Sequence, residues 1–279
     1  MKVPQLQKKP ELKSCHNVTW EDNYSWIHQE NILEVLKDSS KLLPEVRKYL
    51  EEENNYFNHQ MSDTKKIQKV LFDEIKGRIK LDDESLPFMD TRYSYWTKTT
   101  TKGNYSIKLR KKIDSGEIEE IWNGDLEKEK LNTEYFGLGD LEVSYNDRLL
   151  AYSLDLKGSE YYTINIRDIK SGKPVGEKIE NTSGGITFSL DDKYIFYSKL
   201  DENHRPREIY RHEIGTPTSE DIIIFKEESE AFTVGIGLSS DEKYFFITSS
   251  DHNTSEQYYF KADEIIPKPK LIDKRKRGI

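Results

Sequence analysis

The chain has 279 residues, 34% of them hydrophobic and 34% charged, and carries a net charge of −8. That balance suits a polar globular protein rather than a disordered one, and it gives no basic face of the kind nucleic acid rewards. A single cysteine, Cys15, excludes an internal disulfide and a cysteine-based metal site. No stretch approaches about 18 consecutive apolar residues and the opening "MKVPQLQKKPELKS" lacks the apolar run of a secretory signal, so neither a membrane span nor export is expected. The default expectation is a cytoplasmic protein.

Up to about Lys80 the pattern is helical. A short helix is expected over residues 30–38. Pro44 suits the first turn of the next one, where its missing N–H is not needed. Val46, Leu50, Phe57 and Met61 then fall on one face. Glu51, Glu52 and Glu53 lie mostly on the other side and read as a solvated face rather than a metal site. Ser62 or Asp63 is expected to cap a third helix, with Ile67, Val70, Leu71, Ile75 and Ile79 as its stripe and Gly77 near its end. Each of these helices has an apolar face that must cover something else.

From about Leu86 the period changes to two. Segments such as "RYSYWTKT", "YSIKLRKKI", "YYTINIRDI" and "DIIIFKEE" are short, rich in β-branched and aromatic residues, and separated by turn chemistry. No helical stretch is expected among them, which argues against a parallel α/β sheet. One phrase is written three times: "VSYNDRLLAYS", "SLDDKYIFYS" and "LSSDEKYFFITS". Its basic residue is Arg148, Lys193 and Lys243 in turn, at intervals of 45 and 50 residues. A polar turn precedes each, pairing Ser144 with Asp147, Ser189 with Asp192, and Ser239 with Asp241. A second strand is expected to begin near Tyr162, Ile209 and Tyr258, and a degenerate earlier copy starts at Arg92.

A period of this size holding several antiparallel strands marks a β-propeller blade. The expected fold is mainly β: an incomplete propeller of about four blades over residues 86–279, preceded by an α-helical N-terminal extension over residues 1–85. Four blades are about half of a seven-bladed ring, whose flanking blades would expose apolar surface. The chain therefore reads as truncated.

Several segments resemble the N-terminal part of the oligopeptidase B group in the prolyl oligopeptidase family of serine peptidases. They are "NYSWIHQEN", "PEVRKYLEEENNY", "LFDEIKGRIKLDDESLPF" and "IYRHEIGTPTSEDIIIFKE", and the likeness covers essentially the whole chain. The resemblance implies a helical extension, a seven-bladed propeller that restricts entry to short peptides, and a C-terminal α/β-hydrolase domain bearing a Ser-Asp-His triad. It also implies cleavage after Arg and Lys.

The chemistry itself is absent from this sequence. An α/β-hydrolase nucleophile needs G-x-S-x-G, and no serine here has that setting. "GLGDLE", at residues 137–142, lacks the third glycine of a dinucleotide loop, and "HEIGT" lacks the second histidine of a zinc motif. His204 and His212 are expected to be structural. Asp82, Asp83 and Glu84 read as a turn or interdomain contact, with a minor part in attracting basic peptides. The run "KPKLIDKRKRG" near the C-terminus reads as a solvated loop or strand end. No catalytic, cofactor-binding or metal-binding residue is assigned, and no cofactor, nucleic acid or membrane partner.

The sequence-based expectation is the propeller portion of an oligopeptidase B-like serine endopeptidase. It would supply gating and scaffold, be inactive alone, and have as partners a missing α/β-hydrolase domain and, in the intact parent, short basic peptides. The alternatives are a non-catalytic propeller interaction protein and one half of a split peptidase.

Overall fold

The computed structural model describes residues 1–264 and 266–276. The chain divides into two compact units, Met1–Phe88 with Trp96–Ser106, and Met89–Tyr95 with Ile107–Ile279.

The first unit opens with a hairpin that the sequence did not announce, β1 (Glu11–Cys15) and β2 (Val18–Asp22). Its two-residue turn, His16-Asn17, has φ of 49° and 63°, the double left-handed geometry that matches the twist of paired strands. Neither strand has a buried face, so no alternation between apolar and polar residues marks them. Three helices follow: α1 (Ile32–Lys37), α2 (Pro44–Gln60) and α3 (Lys65–Gly77). Pro44 does open α2, and Val46 is its one buried side chain. The expected cap of α3 by Ser62 or Asp63 is not formed. Those residues lie in a 3-10 turn, Ser62–Thr64, and Thr64 precedes the helix without a side-chain cap. The apolar stripe of α3 is uncovered, with Ile67 and Ile75 each more than half exposed.

Short strands β3 (Asp83–Glu84) and β4 (Phe88–Met89) lead to β5 (Tyr93–Thr99), which the two units share. In the second unit, β6 (Ile107–Lys112) and β7 (Ile118–Asn123) pair antiparallel and, with the first residues of β5, make the first blade. The helix α4 (Gly124–Leu131) comes next, contrary to the expectation of uninterrupted strands. It is short and mostly charged, so it has no apolar stripe to read. Its signal is local: the Asn123 carboxamide accepts the Leu126 N–H at 3.2 Å, with Asp125 and Glu127 in the first turn and Lys128 and Lys130 in the last.

The second blade is β8 (Gly137–Val143), β9 (Leu149–Asp155), β10 (Tyr162–Asp168) and β11 (Ile179–Thr182), in that order across the sheet. The third is β12 (Thr187–Phe188), β13 (Tyr194–Leu200), β14 (Pro206–Glu213) and β15 (Ile222–Lys226). The fourth is β16 (Thr233–Leu238), β17 (Tyr244–Ser250), β18 (Ser255–Lys261) and β19 (Lys270–Asp273). All neighbours are antiparallel, and the second and third blades are joined by the pair Thr182 and Lys199. The architecture is thus an incomplete β-propeller of about four blades behind a helical extension.

The period of two gives each blade two apolar faces. On β13, Ile195 and Tyr197 join Leu149, Ile164 and Ile179 of the second blade. Phe196, between them, points the other way and joins Val234, Phe245, Ile247 and Phe260 of the fourth. Each such side chain contributes about 1.5–3 kcal/mol on burial, so these seams carry most of the fold's stability.

Candidate functional site

The thrice-written phrase builds one turn three times. The N–H of Ser144, Ser189 and Ser239 donates to the carbonyl of Leu149, Tyr194 and Tyr244 at 3.0, 2.9 and 2.8 Å. The serine hydroxyl accepts the N–H of those same residues at 2.8, 3.0 and 3.0 Å. It donates in turn to the side chain two places on, Asn146, Asp191 or Asp241, at 2.9, 2.7 and 2.7 Å. The next residue, Asp147, Asp192 or Glu242, has φ of 59°, 58° or 57°. This corrects the sequence alignment, in which Ser239 is paired with Asp241 but the other serines with the residue three places on. A second repeat escaped that reading: Asp155, Asp201 and Asp251 each accept N–H groups of the loop that follows them.

Two of the left-handed acids, Asp147 and Asp192, reach across the blade seams. Both carboxylate oxygens of Asp192 accept N–H groups of the preceding blade, from Tyr145 and Asn146 at 2.7 Å each. Burial holds Asp192 above the usual carboxylate range despite those two donors, with Asp191 and Asp147 adding to the shift. Asp147 accepts the Tyr95 hydroxyl and an Arg92 N–H of the first blade, both at 2.6 Å. Burial pushes the Tyr145 phenol up to about 12, and nearby Glu242 adds to that shift.

Beside Asp147 an open groove of about 800 Å³ runs between the first and second blades. Its floor is Arg110, almost fully buried, which donates to Glu119 at 2.7 Å and to the Asp147 carbonyl at 2.7 Å and stacks on Tyr93 at 4.2 Å. Its rim alternates charge: Arg92 pairs with Asp147, Lys112 with Asp114 at 3.6 Å, and Arg148 with Asp168 at 3.2 Å. The groove is polar, and its described lining includes no histidine, cysteine or serine.

Among the described residues, the one His–carboxylate pair of triad type lies elsewhere and is sealed. His212 Nδ1 is 2.6 Å from Asp221 Oδ1, and the Tyr197 hydroxyl donates to Asp221 Oδ2 at 2.6 Å. His212 and Tyr197 are each 1% exposed, so no substrate reaches them. They tie together β13, β14 and the start of β15. His204, at φ 59°, sits against the Ser159 carbonyl at 3.2 Å and edge-on to Tyr161. Both histidines stand in structural settings.

Of the remaining predicted positions, Asp82 accepts the Thr101 N–H at 2.8 Å, Asp83 pairs with Lys80 at 2.7 Å, and Glu84 pairs with Lys98 at 3.3 Å. They make turn contacts within the first unit. Glu51 and Glu52 are exposed, and Glu53 accepts the Tyr49 hydroxyl at 2.5 Å. "GLGDLE" belongs to β8. A Cβ on Gly139 would lie 2.6 Å from Ser153 Oγ and 2.7 Å from the Tyr162 ring, so glycine serves close packing there, not phosphate. In the basic C-terminal run, Arg277 and Gly278 lie outside the described residues. Arg275 is no mere solvated end: it bonds Glu227 at 2.8 Å and Glu256 at 3.1 Å and lies over Phe232. Among the described residues no cluster of three or more His, Cys, Asp or Glu can hold a metal ion, and no helix is long and apolar enough to cross a membrane.

Repeated antiparallel blades preceded by a helical extension define a β-propeller. Residues 4–278 match the family model "Prolyl oligopeptidase, N-terminal beta-propeller domain", and the chain belongs to that family. It is 30% identical over 269 residues to dipeptidyl aminopeptidase BI of Pseudoxanthomonas mexicana, covering 91% of this chain and 36% of that protein. It is 27% identical to protease 2 of Moraxella lacunata, covering 100% of this chain and 40% of the relative. The fold is similar to that of oligopeptidase B from Leishmania major, with a TM-score of 0.86 at 23% identity over 99% of this chain and 40% of that one. The chain thus spans about two fifths of the length of these relatives.

Proposed function

We propose that this chain is the propeller portion of an oligopeptidase B-like serine endopeptidase acting in the cytoplasm on short peptides, after Arg or Lys. It gates substrate entry and scaffolds an α/β-hydrolase domain that carries the Ser-Asp-His triad. The observation that supports this most is the family match over nearly the whole chain, joined to relatives more than twice as long. The sequence itself lacks the G-x-S-x-G setting such a nucleophile needs. The exposed stripe of α3 is surface of the kind a further domain would cover.

The test has two parts. The purified chain is assayed on fluorogenic peptides ending in Arg or Lys, and the reading frame after the codon for Ile279 is sequenced. No turnover is expected, together with a G-x-S-x-G segment downstream in the same or an adjacent frame. Cleavage by the pure chain that a serine-directed inhibitor abolishes overturns its non-catalytic role. A stop with no such segment nearby overturns the peptidase reading and leaves a propeller interaction protein.

A further inference from the structure

Two of the positions at which the repeated turns differ bear on the seams between blades. Asp147 ties the second blade to the first through Tyr95 and Arg92, and Asp192 ties the third to the second through two N–H groups. Glu242 stands at the same place in the fourth blade, also left-handed. Among the described residues its side chain forms no hydrogen bond or ion pair. Nor have the N–H groups of Leu190 and Asp191, the counterparts of Tyr145 and Asn146, any acceptor.

Charge supplies the reason. Where the second blade has neutral Asn146, the third has Asp191, whose carboxylate accepts from the Ser189 hydroxyl at 2.7 Å and pairs with Lys193 at 3.4 Å. A second carboxylate brought to those N–H groups meets Asp191 directly, and like charges at such range repel. Asn146 offers no such opposition to Asp192. The seam between the second and third blades has further ties: the Ile186 N–H donates to Asp140 at 2.9 Å and the Ser153 hydroxyl to the Gly184 carbonyl at 2.7 Å. Both seams are packed with apolar side chains. The third–fourth seam has ties of its own away from the turn, from the Ser249 hydroxyl to Glu227 at 2.5 Å and from Arg275 to Glu227 at 2.8 Å, so polar bonds at the turn are what distinguish the two.

We propose that the left-handed aspartates Asp147 and Asp192 are latches on the preceding blade, and that the turn end of the seam between the third and fourth blades, left unlatched there, is where this propeller opens. The inference rests on the blade architecture alone and is independent of which peptides, if any, the protein serves.

Hydrogen exchange read by mass spectrometry on the full chain tests it. Asp192→Asn keeps a residue that tolerates positive φ but replaces one acceptor oxygen by a donor. It is expected to speed exchange at Tyr145 and Asn146 and along β13 about tenfold. The converse variant, Asp191→Asn with Glu242→Asp, gives the fourth blade the residues of a working latch. It is expected to slow exchange at Leu190 and Asp191 and along β16 by about tenfold. Unchanged exchange at the fourth-blade seam in the double variant overturns the proposal, and so does an unchanged second seam in Asp192→Asn. If Asp192→Asn does not fold, the double variant decides alone.

Discussion

His212 Nδ1 lies 2.6 Å from Asp221 Oδ1, with both side chains almost wholly buried. The pair has the outward form of a catalytic dyad, but Tyr197 occupies the second carboxylate oxygen and no solvent path reaches the ring. Its work is to hold three strands of one blade together. Removing a partner leaves a buried polar group unpaired, so His212→Ala is expected to lower unfolding stability by about 3 kcal/mol. Urea denaturation monitored by circular dichroism measures this, and a loss within experimental error contradicts the structural role.

The Glu227 cluster sets an acid limb. Burial raises the pKa of this carboxyl, but the Ser249 hydroxyl, the Ser229 N–H and Arg275 together outweigh it and hold the group below the usual carboxylate range. A folded pKa below the unfolded one contributes stability that is complete above the unfolded value, about 4.3, and is lost as the pH falls through the folded value. Wild-type stability is therefore expected to fall as acid is added below about pH 5, and Glu227→Gln is expected to flatten that limb. Urea midpoints taken across the acid range compare the two slopes.

Gly139 is a packing position. Its missing side chain lets Ser153 and Tyr162 close on β8, and an added Cβ would meet both at under 3 Å. Gly139→Ala is expected to cost about 1–3 kcal/mol, read from the thermal or urea midpoint. Gly172→Ala is a useful contrast. Nothing lies near its Cβ, so its cost comes only from its positive φ of 67°.

Trp122 is 2% exposed and is packed by Phe136, Tyr152 and the Arg167 guanidinium. Trp122→Ala is expected to lose about 3–5 kcal/mol, a large share of a domain's total stability. The stripe of α3 makes the opposite prediction. Ile67 and Ile75 are exposed in this chain, so Ile67→Glu and Ile75→Glu are each expected to change its stability by no more than about 0.5 kcal/mol. A large loss at either position shows that the stripe is covered, for instance by a second copy of the chain.

The amphipathic period of α2 and α3, Pro44 at a helix start, and the recurrence of one serine- and aspartate-rich phrase were legible in the sequence, because each is a local or periodic pattern. The exposed hairpin β1–β2, the charged helix α4 and the glycine-bearing strands β8 and β16 were not. The first two bury no stripe, and in β8 and β16 glycines interrupt the β-branched and aromatic run that marks a strand. The register of the repeated turn was also hidden, since Ser-x-Asp and Ser-x-x-Asp look alike until the hydrogen bonds separate acceptor from latch. Sequence alone determined the repeat, the helical extension and the want of a nucleophile motif, all properties of residue order. Tertiary structure alone decided that His212 and Asp221 are sealed from solvent and that Asp192 grips a neighbouring blade while Glu242 does not. Burial and a carboxylate's reach to residues some 46 places away in the chain exist only once the blades have packed.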